Sequence, residues 1–310
     1  MNLQQLEYII AVDTYRHFAT AAEKSFVTQP TLSMMIQKLE DELNVKIFDR
    51  SKQPVVPTLV GEQIINQARK VLYEAKKIKE IANSDTQVIS GEFKLAIIPT
   101  LAPYLLPLFV KKFIKKYTLV KLIVSEMVTE QIIENLKKGN IDAGLLVTPL
   151  NEASIYELPL FYEPFWAYVS DKDKLYNKKY VLPSEINPDD LWLLEEGHCF
   201  RTQILNLCEL KKQSDNAQFE YAAGSIETLI KLVNQESGIT IIPELATLDM
   251  TAKQKKHLRE FKAPVPVREV SLVMHRYYHK ENIIKAMSKE IKASVPENML
   301  QNTKKKIVEI

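Results

Sequence analysis

Along the first sixty residues, apolar positions recur at helical spacing in three bursts. Leu3, Leu6, Ile9, Ile10 and Asp13 mark a first helix with one apolar face, residues 18–24 a second, and residues 29–43 a third after a short turn. In the third, Leu32, Ile36, Leu39 and Leu43 step by four, three and four, so they line one face against the first two helices. Thr28 suits the N-cap and Pro30 the first turn. That leaves Gln29, Thr31, Ser33 and Gln37 pointing outward at the amino-terminal end. Two compact helices before a longer one predict a helix-turn-helix, and the outward groups are of the kind that hydrogen-bond base edges and phosphates in a major groove. Residues 45–58 then carry Lys46, Arg50 and Lys52 among β-formers and prolines, as a two-stranded wing gripping backbone phosphate does.

From Ile64, the positions Ile64, Ala68, Val71, Ala75, Ile78 and Ala82 step by four, three, four, three and four. This is a heptad seam. It serves either a second helix or the helix's own domain. Beyond residue 91 the pattern alternates between short buried strands (93–98, 119–125, 142–147, 165–169, 192–195, 239–242 and 270–275) and helical stretches (103–117, 130–138, 200–212, 225–236 and 281–294). Such alternation predicts an α/β domain with largely parallel sheets in two lobes. The predicted organisation is residues 1–58 as a DNA-binding unit, 59–90 as a linker helix, 91–300 as a two-lobe α/β domain and 301–310 as a polar tail. Ligands in such domains sit at the carboxyl ends of strands. Pro99-Thr100, Met127-Val128-Thr129 and Gly197-His198-Cys199 occupy those positions.

Composition narrows the classes without choosing among them. With 310 residues, 46% hydrophobic and 26% charged, the chain can bury more than one core and is neither disordered nor a disulfide-stapled miniature. Residues 1–90 hold eleven Lys+Arg and eleven Asp+Glu, so charge alone fits a plain helical interaction module as well as a nucleic-acid binder. The start has no basic and apolar leader pattern, and the apolar run at 101–110 is too short to span a bilayer, so a cytoplasmic protein is expected. The five histidines form no spaced ligand set with the cysteines and no phosphate-loop glycine pattern occurs, so neither metal nor cofactor is expected.

The order of residues is more specific than the charge. Ala21-Ala22, Gln29-Pro30-Thr31-Leu32-Ser33, Ile36, Leu39-Glu40, Leu43, Phe48-Asp49-Arg50, Pro57-Thr58 and Gly61 resemble the winged helix-turn-helix of LysR-type transcriptional regulators. Asn44 departs from that pattern, where glycine is common, but asparagine also accepts positive φ. The resemblance implies a winged helix-turn-helix, a linker helix that pairs subunits, and a periplasmic-binding-protein-like two-lobe sensor domain. It also implies double-stranded DNA with a partly symmetric operator as partner, read by Thr28, Gln29, Pro30, Thr31, Ser33, Gln37 and Arg50. A homodimer or homotetramer follows, with RNA polymerase as a further partner.

Only two cysteines occur, Cys199 and Cys208. A thiol at a helix amino terminus beside His198 and Arg201 is placed where positive potential lowers its pKa, although free cysteines are also common as small buried hydrophobes. If residues 200–208 stay helical, nine residues separate the sulfurs by a rise of about 13 Å on opposite faces. A disulfide needs Cα atoms within about 7 Å, so this pair can join only if the helix unwinds. The chemistry available is attack of the Cys199 thiolate on a peroxide oxygen to give sulfenic acid, then condensation with Cys208.

Here the likeness narrows. Gly197-His198-Cys199-Phe200-Arg201 with Cys208, Pro99-Thr100, Pro103-Tyr104-Leu105-Leu106-Pro107, Thr129, Gly238-Ile239-Thr240, Pro243 and Arg268 look like the hydrogen-peroxide-sensing members of the family. That resemblance implies that Thr100 and Thr129 hold peroxide by their hydroxyls, His198 polarises it, and Arg268 supports the thiolate or the leaving oxygen. Thr202 stands where the pattern has an aspartate. The competing readings are threonines as helix caps, His198 as a loop residue and Arg268 as a strand-edge charge. At the level of function they are a regulator of the same scaffold taking a small organic effector, and a thiol peroxidase that turns over.

Overall fold

The computed structural model describes residues 1–82, 89–195, 199–209, 224–277, 280–301 and 305–308. They fall into two compact units, one from residues 1–88 with 276–281 and the other from 89–275 with 282–310.

In the first unit, α1 (Leu3–Tyr15) starts on a capping box between Asn2 and Gln5. Helix α2 (Phe18–Lys24) and α3 (Gln29–Leu43) follow, the latter capped by the Thr28 hydroxyl, which accepts from the Thr31 amide. Helix α3 stops at Asn44, which takes the left-handed conformation with φ 52°. Strands β1 (Phe48–Asp49) and β2 (Val56–Pro57) pair antiparallel as the wing, and α4 (Leu59–Ala82) leaves it. Leu32, Ile36 and Leu39 are fully buried with Leu6, Ile9, Val12, Ala21 and Ala22. Leu43 is not: it is 38% exposed, because the helix has run past its partners by its last turn. The first part of the α4 seam is claimed by this core. Ile65 and Ala68 are buried in it and Ile64, Val71 and Leu72 pack against it, whereas Ile78 is 68% exposed. Gly61 is obligatory, since a Cβ there would lie 2.0 Å from the Ile47 carbonyl oxygen.

The second unit begins β3 (Gly91–Ile97), α5 (Ala102–Lys116), β4 (Val120–Glu126), α6 (Thr129–Lys137) and β5 (Ala143–Thr148). The parallel order β4-β3-β5 makes the first lobe's sheet. Strand β6 (Ile155–Val169) then runs through both lobes. Strands β7 (Tyr180–Val181), β8 (Leu191–Trp192), helices α7 (Cys199–Leu207) and α8 (Ile226–Gln235), β9 (Ile239–Pro243), α9 (Ala252–Lys255) and β10 (Leu258–Phe261) build the second lobe. Strand β11 (Val265–His275) returns to the first lobe, followed by α10 (Glu281–Lys292) and β12 (Lys305–Ile307).

The expectation of largely parallel sheets is corrected here. Strand β11 lies antiparallel between β5 and β6, and β6 is antiparallel to β9 and β10. The sequence pattern marks only residues 165–169 of the 15-residue β6, because Pro159 and Pro164 cannot donate to a ladder and read as breaks. The strand absorbs Pro159 at a register shift opposite Val270 and Ser271. The polar tail also yields a strand, β12, which pairs parallel with β11.

Candidate functional site

Helix α7 starts at one cysteine and ends one residue before the other. Cys199 is its first residue, half-buried, and the Cys208 amide donates to the Ile204 carbonyl at 3.0 Å, so the helical ladder reaches the second thiol. Both thiols are free. The rise between them is about 13 Å, as the sequence spacing requires.

Burial pushes the Cys199 thiol above its ordinary value. The Thr129 hydroxyl, the Arg268 guanidinium and the Phe200 amide pull in the opposite direction. This corrects the expectation of a thiol lowered by Arg201, whose Nη1 instead donates to the Leu194 carbonyl at 2.9 Å. The cation acting on the sulfur comes from β11. Cys208 has no such help, and burial pushes it up to about 12. Thr202 is exposed on the helix. His198 and Gly197 lie outside the described residues.

Thr129 is the first residue of α6, buried, and its side chain does not cap the helix. Its Oγ1 makes no hydrogen bond of ordinary geometry among the described residues; it faces Cys199. A buried hydroxyl beside a thiol with bonding capacity to spare is a place for a small polar ligand. Thr100, in the turn after β3, is buried and is not a cap either. Its Oγ1 accepts from Arg268 Nη1 at 3.0 Å and its carbonyl from Nη2 at 3.1 Å.

Arg268 is fully buried in mid-β11, which removes the strand-edge reading. Its Nε and Nη2 each lie 2.8 Å from Glu163 Oε2, and its guanidinium covers the Phe200 ring at 5.2 Å. The other Glu163 oxygen accepts from the Leu245 amide at 2.8 Å. Burial pushes the Glu163 carboxyl up, against the pull of Arg268 and that amide. Sequence reasoning missed Glu163; the signal was that an arginine inside a strand this apolar needs a buried counter-ion. Beside this group, the Tyr104 hydroxyl on α5 donates to Glu227 on α8 at 2.5 Å, and burial together with Glu227 raises the phenol. One cluster thus joins Cys199, Thr129, Thr100 and Arg268.

On the first unit, Thr28, Gln29, Pro30, Thr31 and Gln37 are exposed, as the amphipathic pattern requires. Ser33 is half-buried and accepts from Arg50 Nη1 at 3.2 Å, so it positions Arg50. Glu40, missed as a functional group, is buried; its Oε1 accepts from the Ile47 and Phe48 amides and its Oε2 lies 3.4 Å from Arg50 and Lys46. It ties the wing and both basic residues to α3. Gln37, Lys46, Phe48, Asp49, Arg50 and Thr58 line a groove there. Among the described residues no cluster of three His, Cys, Asp or Glu could hold a metal, and no helix is long and apolar enough to cross a membrane.

Comparison with known proteins follows this division. Residues 3–62 match the bacterial regulatory helix-turn-helix of the lysR family and residues 86–295 the LysR substrate binding domain. The chain is 34% identical to the hydrogen peroxide-inducible genes activator of Haemophilus influenzae over 301 residues, 94% of this chain and 98% of that protein. It is 34% identical to the DNA-binding transcriptional dual regulator OxyR of Escherichia coli over 246 residues, 79% of this chain and 80% of that one. Among solved structures, a cysteine-to-aspartate variant of full-length OxyR from Pseudomonas aeruginosa superposes with a TM-score of 0.71 at 33% identity, covering 95% of this chain and 99% of that one. Reduced OxyR from Porphyromonas gingivalis gives 0.63 at 33% identity, over 70% of this chain and all of that one. The chain belongs to the LysR family of bacterial transcriptional regulators, in its OxyR branch.

Proposed function

We propose that this protein is a cytoplasmic DNA-binding activator that senses hydrogen peroxide through Cys199 and Cys208. The observation that carries the reading is the cluster around Cys199: a thiol at the start of α7, the spare hydroxyl of Thr129 facing it, and the buried Arg268 held beside it by Thr100 and Glu163. Thr129 and Thr100 hold peroxide, Arg268 favours the thiolate and the departing oxygen, and His198 polarises the peroxide. The Cys199 thiol takes one oxygen, the O–O bond breaks, and sulfenic acid and water result. Cys208 then attacks the sulfenic sulfur; the S–S bond forms and a second water leaves. Joining sulfurs at the two ends of α7 requires that the helix unwind, so oxidation is converted into a change of shape that DNA binding can read.

Thr28, Gln29, Pro30, Thr31 and Gln37 meet base edges and phosphate while Arg50, oriented by Ser33 and Glu40, grips the backbone. The exposed Ile78 end of α4 pairs with a second copy, which places two recognition helices on one partly symmetric operator. The test is thiol mapping by mass after brief peroxide exposure of the full chain, with Cys199→Ser alongside. A Cys199–Cys208 disulfide in the native sequence, and loss of the transcriptional response to peroxide in the variant, are expected. Two untouched thiols, or an unchanged response in Cys199→Ser, reject the reading in favour of an organic effector.

A further inference from the structure

The carboxyl-terminal strand is tied to the helix that links the two cysteines. Strand β12 pairs with Val265, Pro266 and Val267 of β11, immediately before Arg268, and the Val308 amide donates to the Val267 carbonyl at 2.9 Å. The Val308 side chain is buried in the second lobe's core with Phe200, Ile204 and Cys208. Its carbonyl accepts from Nε2 of Gln203 at 2.7 Å. Gln203 is fully buried on α7 between the two cysteines, and its Oε1 has no partner among the described residues. The carbonyl end of this buried amide is thus unpartnered among the described residues, and its one side-chain bond is the donation to Val308. What the amide provides and leucine cannot is a hydrogen bond from the cysteine helix to β12.

We infer that Gln203 is a positioning residue which, with β12, forms a latch on α7 that holds in the dithiol form and is released when Cys199 and Cys208 join. The inference rests on the redox reading above. Gln203 lies between the sulfurs, so drawing them from about 13 Å of helical rise to disulfide distance displaces it from Val308. The latch supplies no electron or proton. Peroxide takes two electrons from the two thiols, its O–O bond breaks, the S–S bond forms and two waters leave; the latch only biases which conformation the chain prefers.

The test equilibrates the full chain, Gln203→Met and Val308→Ala in glutathione buffers and quantifies the disulfide by mass. Removing a hydrogen bond made only in the dithiol form raises the oxidation equilibrium constant about fivefold, which lowers the potential by about 20 mV. Val308→Ala, which keeps the backbone bonds but empties the apolar seat, shifts it in the same direction. On the unaltered protein, hydrogen exchange at the Val308 amide is expected at least tenfold faster in the disulfide form. Variants that melt earlier in both redox states at an unchanged potential, or equal Val308 protection in both states, overturn the latch alone. Absence of any Cys199–Cys208 disulfide in the native chain overturns the redox reading with it.

Discussion

Replacing Arg268 by Met tests whether the sensor domain is organised around one buried charge pair. The guanidinium is fully buried, spends its donors on Glu163 and Thr100, and is the only cation bonded to Glu163 among the described residues. Met keeps the stem's volume but leaves Glu163 buried with only the Leu245 amide. Breaking such a pair from one side costs about 3–5 kcal/mol, a large share of a domain's stability. Burial already pushes Glu163 above its ordinary value with Arg268 present, and without it the carboxyl rises further. The sign follows: the folded form binds the proton more tightly than the unfolded one. The variant is therefore least impaired below the unfolded carboxyl's value of about 4.3 and loses stability as pH rises through the folded value. The assay is guanidinium unfolding at pH 5 and 7.5, read by fluorescence of Trp166 and Trp192, the only two tryptophans, both in the larger unit. The double variant Glu163→Gln, Arg268→Met removes the stranded charge and should recover about half of the loss at pH 7.5, with little pH dependence. Equal stability of the single and double variants at pH 7.5 refutes the argument.

Other consequences are simpler to measure. Cys208, pushed up to about 12, should be alkylated by iodoacetamide at pH 8 about a thousandfold more slowly in the folded dithiol protein than in urea, with the rate climbing only as pH approaches 12. Phe26 sits at φ 56° and is 96% exposed, so Phe26→Asn should stabilise the first unit by about 1 kcal/mol in calorimetry; a lower melting temperature contradicts this. Gly61→Ala drives a Cβ to 2.0 Å from the Ile47 carbonyl oxygen and should cost about 3 kcal/mol, lowering the melting temperature of the first unit and weakening operator binding in a gel-shift titration.

How far the sequence spoke depended on how local each determinant was. Helices α1 to α3 could be read because caps, apolar stripes and turns within a few residues specify them, down to the positive φ at Asn44. The α4 seam was readable as a stripe but not by owner, since Ala68 is buried in, and Ile64 and Val71 pack against, a core assembled from residues up to sixty positions earlier. Strand β6 was obscured by its prolines, and β12 by its lysines. The half-buried Lys305 is accommodated there by the carbonyls of Gln301, Asn298 and Tyr162, partners that composition does not announce.

The thiol shows the limit most sharply. Sequence neighbours placed two bases next to Cys199 and argued for a lowered pKa. In the folded chain Arg201 turns to a carbonyl, and what governs the sulfur is desolvation opposed by Thr129 and Arg268, seventy residues to either side. Local charge can be counted from the sequence, but solvation is set by whatever elements cover the site. A thiol raised by burial and drawn back by a hydroxyl and a distant cation reacts well only with an oxidant small enough to enter beside it. It follows that Thr129→Val should slow reaction with hydrogen peroxide more than with a bulky disulfide reagent. Stopped-flow rates for both oxidants test this, and equal slowing would mean that the hydroxyl acts on the thiol alone and not on the ligand beside it.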